Sequence, residues 1–160
     1  MDPPIIYTEP HHTALLPQLA RLIPLCTTHH NTSLGFLPPF SHDKLLRFWK
    51  SQVADPERTI ILQLRNPSSD AENPEQLEGP AGEAKSNENS EKEVIGCIVV
   101  VRKHKETGMF RGYMEKLMVK PEYMGKGVGR RLVERAEEEI WKGNGKMVVG
   151  LKVWNLISIG

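Results

Sequence analysis

The sequence predicts a single α/β domain in three layers, a sheet flanked by helices. Three features carry that expectation: β-prone runs interleaved with amphipathic stripes, an apolar share of 39% in 160 residues, and a glycine-rich turn joining an apolar strand to a helix. A chain of this length suits one domain spanning 1–160.

Ile5 to Thr8 is a short β-prone run, and Leu15, Leu16, Leu19, Leu22 and Ile23 then recur at helical spacing. Pro24 lacks the donor that a continuing helix needs, so the first helix is expected to kink or end there. Pro38-Pro39 predicts an extended approach to a second helix, capped by Ser41 and striped by Leu45, Leu46, Phe48, Trp49 and Val53. Thr59 to Leu64 and Val94 to Val101 read as neighbouring strands, the second apolar enough for burial on both faces. Between them, Asn66 to Glu93 holds eight acidic residues against two lysines and almost no large apolar side chain. Such a stretch cannot offset its ordering entropy and is expected to be a disordered hairpin insertion at about 66–93, with an acidic recognition tail as the other reading.

Gly112 to Val119 reads as the next strand, with Met114 and Lys116 on one face and Tyr113, Glu115, Leu117 and Val119 on the other. Leu132, Val133, Ala136 and Ile140 then mark the apolar stripe of a third helix, with Arg130, Arg131, Glu134, Arg135 and Glu137 to Glu139 on its wet side. Gly143-Asn144-Gly145 stops that helix, and Met147 to Trp154 begins another strand.

Composition narrows the partners. The net charge is +1, from 21 basic and 20 acidic side chains, so no global field favours nucleic acid or an acidic membrane. No apolar run approaches the ~18 to 20 residues of a membrane span, and the start of the chain lacks a basic-then-apolar leader, so a cytoplasmic protein is expected. Cys26 and Cys97 form no Cys-x-x-Cys pair and read as small buried hydrophobes. His11-His12 and His29-His30 are adjacent pairs without metal-ligand spacing, so no metal is expected.

The chemistry concentrates in Gly125-Lys126-Gly127-Val128-Gly129-Arg130-Arg131. Glycines at the mouth of a helix expose backbone N–H groups that have no intrahelical partner, the helix dipole favours negative charge, and Lys126, Arg130 and Arg131 add counter-charge. A phosphate or diphosphate is the ligand such a cradle suits; a plain glycine turn is the other reading. A Walker A loop would need Ser or Thr after its lysine, and too few residues follow for the second half of a dinucleotide fold.

From Leu117 to Leu132 the sequence resembles the acetyl-CoA signature of the GNAT superfamily of N-acetyltransferases, Arg/Gln-x-x-Gly-x-Gly/Ala after an apolar strand and a proline turn. Phe36-Leu37-Pro38-Pro39, Phe48-Trp49, Glu106-Thr107-Gly108 and Arg111-Gly112 extend the likeness to a fungal-type branch. The resemblance implies a mixed, mostly antiparallel sheet flanked by helices. It also implies acetyl-CoA as co-substrate, a pantetheine arm along Leu117, Met118 and Val119, and a pyrophosphate held by Met124, Gly125, Lys126, Gly127, Val128, Gly129 and Arg130. Glu115 then becomes the candidate general base, drawing a proton from a primary amine that attacks the thioester directly. A strand glutamate in an ion pair is the alternative role for it. A backbone N–H near Met118 would stabilise the oxyanion.

Two departures stand out. Met124 replaces the usual Arg or Gln. The chain also ends at Gly160, so Asn155 matches a family asparagine, but no tyrosine follows as general acid and the C-terminal strands are expected to be missing. An uncovered strand edge there would invite dimerisation. The resemblance therefore leaves a second function open, a non-catalytic acyl-CoA-binding remnant or a regulatory partner of a full-length acetyltransferase. Nothing in the sequence names the amine acceptor.

Overall fold

The computed structural model describes residues 2–30, 34–66, 92–102, 111–142 and 148–151. Strand β1 (Ile5–Ile6) and a 3-10 turn at Thr13–Leu15 lead into helix α1 (Leu16–His30), followed by α2 (His42–Ala54). Strands β2 (Arg58–Arg65), β3 (Glu93–Arg102) and β4 (Arg111–Val119) come next, then helix α3 (Val128–Trp141) and strand β5 (Val148–Leu151). The sheet has the order β1-β2-β3-β4-β5, antiparallel except for the last pair, which is parallel.

Two apolar clusters give the three layers their physical basis. On one face, Leu19, Leu22, Ile23 and Cys26 of α1 and Leu45 and Trp49 of α2 meet Ile60, Leu62, Cys97, Val99 and Met118 of the sheet. On the other, Val128, Leu132, Ala136 and Ile140 of α3 cover Ile61, Ile95, Ile98, Val100 and Met114. Residues 94–101 of β3 are buried without a break, because helices cover both sides of this strand. Ser41 caps α2, its side chain accepting from the Lys44 N–H at 3.4 Å.

Several expectations change. Helix α1 does not end at Pro24, because Ala20, Leu22, Ile23 and Cys26 are all buried and outweigh one missing bond. A bend, not an extended run, stands at Pro38-Pro39. Glu139 is not on the wet side of α3. It is buried, with Arg135 Nη1 at 2.6 Å and Lys142 Nζ at 2.8 Å. Burial raises its pKa, but Lys142 and Arg135 together outweigh that and hold the carboxyl below its ordinary value. Arg65 pairs with Glu93 across β2 and β3, so the chain leaves and rejoins the sheet at adjacent positions. The acidic insertion expected between them lies outside the described residues from 67 to 91.

The alternation expected along β4 fails at Lys116. Between the pairs Cys97/Met118 and Val99/Glu115, β4 spends one residue more than β3, a β-bulge, and Lys116 within it has φ +54°. Beyond the bulge the faces exchange: Met118 joins the α1/α2 side and Val119 the α3 side. Glu115 and Met118 therefore share a face, which strict alternation forbids.

Candidate acyl-CoA site

The glycine loop is built by its backbone. Pro121–Tyr123 forms a 3-10 turn, and Gly125 and Gly127 both take left-handed conformations, φ +71° and +77°. Gly127 is the N-cap of α3, with no side-chain cap. The first backbone bond of the helix is Arg131 N–H to Gly127 O at 3.1 Å, so the N–H groups of Val128, Gly129 and Arg130 have no backbone acceptor among the described residues. A Cβ built on Gly125 or Gly127 would meet nothing within 4 Å, and Met124 to Gly127 are exposed. Donors, dipole and open space coincide, which fits a diphosphate.

The basic side chains contribute less directly. The Arg130 side chain is 84% exposed and its Nε sits 2.8 Å from Glu134, which offsets its charge. Lys126 Nζ lies over the Tyr123 ring at 5.1 Å, and Arg65 over the same ring at 5.4 Å, with its guanidinium donating to the Tyr123 hydroxyl. Arg65 comes from β2, and the sequence reading had not joined it to the loop.

Packing ties this loop to the end of β4. A Cβ on Gly129 would lie 3.8 Å from Val119 Cγ2. Gly96 of β3 matters more, because a Cβ there would stand 2.9 Å from the Met118 carbonyl and 3.1 Å from both Val128 and Leu132. Gly96 thus lets β4 and α3 close on β3. The signal was present in the sequence, since an isolated glycine in an apolar strand marks a close approach.

The register also fixes which way the β4 backbone points. Lys120 N–H donates to Ile95 O at 2.8 Å, so Lys120/Ile95 is a hydrogen-bonded pair and Gly96/Val119 is of the other kind. Val119 therefore turns its N–H and C=O away from β3, toward the β5 side. Its carbonyl accepts there from the Cys26 thiol at 3.3 Å. By the same alternation Met118 is turned toward β3, and its side chain is buried. Pairing between β4 and β5 runs from Arg111/Val148 to Met114/Leu151, so Glu115 to Val119 have no partner strand on that edge among the described residues. Leu117 is exposed on this stretch.

Glu115 lies beside the bulge, registered with Val99 on the α1/α2 face. It is not surrounded by apolar groups alone. Arg58 Nη1 of β2 holds its Oε2 at 3.1 Å, while Arg58 Nε holds Asp55 at 3.1 Å. Arg58 is 57 positions away in sequence, and only the β2–β3–β4 register brings it here. Asn155 and Glu106-Thr107-Gly108 lie outside the described residues. Both cysteines are buried, and burial pushes Cys26 up to about 11 and Cys97 well above its ordinary value, which suits neither to nucleophilic work. Among the described residues no group of three or more His, Cys, Asp or Glu could hold a metal, and no helix is long and apolar enough to cross a membrane.

Comparison with known structures places this architecture in one class, the GNAT acetyltransferase fold. A GNAT family acetyltransferase from Staphylococcus aureus superposes with a TM-score of 0.60 at 17% identity, covering 96% of this chain and 89% of that one. An aminoglycoside 6'-N-acetyltransferase complexed with coenzyme A gives 0.55 at 18%, covering 92% of this chain; the present chain spans 60% of that enzyme's length. An acetyltransferase from Thermus thermophilus gives 0.52 at 15%, with 86% and 69% covered. At these identities the likeness establishes the fold. No curated protein matches the sequence at a significant level. The sequence family described as the acetyltransferase (GNAT) domain matches residues 85–157, a span holding the bulge, the glycine loop and α3. The fold is therefore that of the GNAT acetyltransferases, and the matched span covers the part of the chain from β3 to β5.

Proposed function

We propose that the chain is a single-domain, cytoplasmic N-acetyltransferase that moves an acetyl group from acetyl-CoA to a primary amine. One observation carries the reading: the N–H groups of Val128, Gly129 and Arg130, without a backbone acceptor among the described residues, follow Gly125 and Gly127, which are exposed and where an added Cβ would meet nothing within 4 Å. In this reading the diphosphate of acetyl-CoA rests on Met124 to Arg130, and the pantetheine arm lies along Leu117 to Val119. Val119 supplies backbone groups turned to that edge, and the Cys26 thiol gives up its carbonyl when the arm arrives.

The chemistry is direct attack. Glu115, at the far end of the bulge from the loop, takes the amine proton, through water where distance requires it. The nitrogen then bonds to the acetyl carbon and the C–S bond breaks. A backbone N–H flanking Met118 stabilises the oxyanion, since Met118 itself is turned toward β3. Arg58 orients Glu115 by anchoring one of its oxygens.

A thermal-shift titration with acetyl-CoA, coenzyme A and dephospho analogues tests the cradle. A ligand that binds only the native state stabilises it by ~2.7 kcal/mol at a hundredfold excess over its Kd. No shift at millimolar ligand overturns the reading. Transfer to a panel of amines separates enzyme from acyl-CoA-binding remnant. Glu115→Gln is expected to lower turnover at neutral pH by ~100-fold or more, the usual worth of a positioned base, with little change in acetyl-CoA affinity. Unchanged turnover removes Glu115 from the mechanism.

A further inference from the structure

Lys116 is the described non-glycine residue with positive φ, +54°, in the bulge that also displaces Met118 and Val119. Its left-handed backbone takes the side chain out of the strand's alternation and lays it toward α2. There Nζ donates to the Leu34 carbonyl, lies 5.8 Å from the centre of the Phe48 ring, and sits 3.2 Å from where a Cβ on Gly35 would stand. Gly35, at φ +88°, leaves just enough room for the amine. Burial lowers the pKa of Lys116; Glu115 opposes the shift and Arg58 adds to it. A neutral amine can keep one N–H on the Leu34 oxygen and still present its lone pair.

The direction of the acyl donor follows from packing. Gly129, at the start of α3, lies against Val119, so the phosphate end of the slot is at the Val119 end of β4. An arm laid from there along the open edge passes Leu117 and delivers its thioester next to the bulge. Lys116 belongs to that bulge, and its amine is held on the Leu34 carbonyl beside Phe48.

We infer that Lys116 is an internal acetyl acceptor, its Nζ taking the acetyl group of acetyl-CoA held by the same chain. The inference rests on the acetyl-CoA reading above. Nζ forms a bond to the carbonyl carbon, the C–S bond breaks, and the proton released by the amine ends on the departing thiolate, leaving an amide and free coenzyme A. The product has lost its charge and with it the cation–π contact to Phe48. Acetylation therefore loosens the tie between β4 and Leu34-Gly35, on the side of the sheet where Glu115 lies.

The test is to incubate the full chain with acetyl-CoA and no added amine, then follow intact mass and map the modified residue by peptide analysis. Lys116 is expected to be acetylated at least ~10-fold faster than exposed Lys44 and Lys50, as a positioned amine should be relative to free ones. Lys116→Arg removes that acetyl group, and its melting curve reports whether it folds; site mapping on the unaltered protein decides the matter in either case. A coenzyme A thermal shift without acetyl on Lys116 overturns this inference and leaves the proposed function standing. Equal labelling of Lys44, Lys50 and Lys116 shows chemical acetylation alone and also overturns it. No thermal shift with coenzyme A overturns both.

Discussion

Three glycines near the site do different physical work. Gly127 holds φ +77° in open space, so Gly127→Ala is expected to meet strain but no clash, costing ~1–2 kcal/mol at most. Under the proposed function its larger effect is expected on ligand, a tenfold or greater loss in coenzyme A affinity by titration, because the methyl would sit where the backbone is proposed to approach phosphate. Gly96 reverses the pattern. A Cβ there strikes the Met118 carbonyl at 2.9 Å, so Gly96→Ala should lower unfolding stability by ~1–3 kcal/mol in urea titrations, the range of an overpacked core. Gly125 resembles Gly127 in both respects. If Gly127→Ala proves as destabilising as Gly96→Ala with affinity intact, the loop is structural.

Glu139 supplies a pH-dependent contribution of its own. Its folded-state pKa lies below the ordinary carboxylate value, so its stabilisation is present above that value and is lost as pH falls through the folded one. Glu139→Gln is therefore expected to destabilise at pH 7 and to differ little from the unaltered protein at pH 3. Denaturation midpoints at the two pH values check this, and a difference that persists in acid would assign the effect to packing.

Among the elements, α1 continues past a local break. Pro24 interrupts its hydrogen bonding, yet the helix persists for six more residues because tertiary contacts hold its buried stripe. Pro24→Ala restores a donor to the Ala20 carbonyl and should raise stability by ~1–3 kcal/mol, less what the freer unfolded chain takes back. An unchanged urea midpoint would mean that neighbouring packing already absorbs the cost. Helix α3 behaves oppositely: its stripe was legible because Leu132, Ala136 and Ile140 recur at helical spacing, and all three are buried. Glu139 escaped that reading because its burial depends on two basic neighbours, and a hydrophobic pattern does not register ion pairing. In β4 the limit is different. A bulge is a mismatch between two strands, so one strand's own sequence of residues holds no sign of it, and Val119 was assigned to the wrong face.

At the scale of the whole molecule, the proposed site stands where three layers meet: α3 presents its N-terminus, β4 an edge without a partner strand among the described residues, and the α1/α2 side Lys116 and Glu115. The order of elements, the two neighbouring strands, the capped second helix and the glycine loop were all decided by sequence alone, because spacing, caps and absent side chains act within a few residues. What tertiary structure alone decided was the company each group keeps: Arg58 beside Glu115, Arg65 on Tyr123, the Cys26 thiol on the Val119 carbonyl, and Lys116 against Leu34. Those partners are brought together by strand register and helix packing, and both are set by the burial of two apolar clusters drawn from the length of the chain.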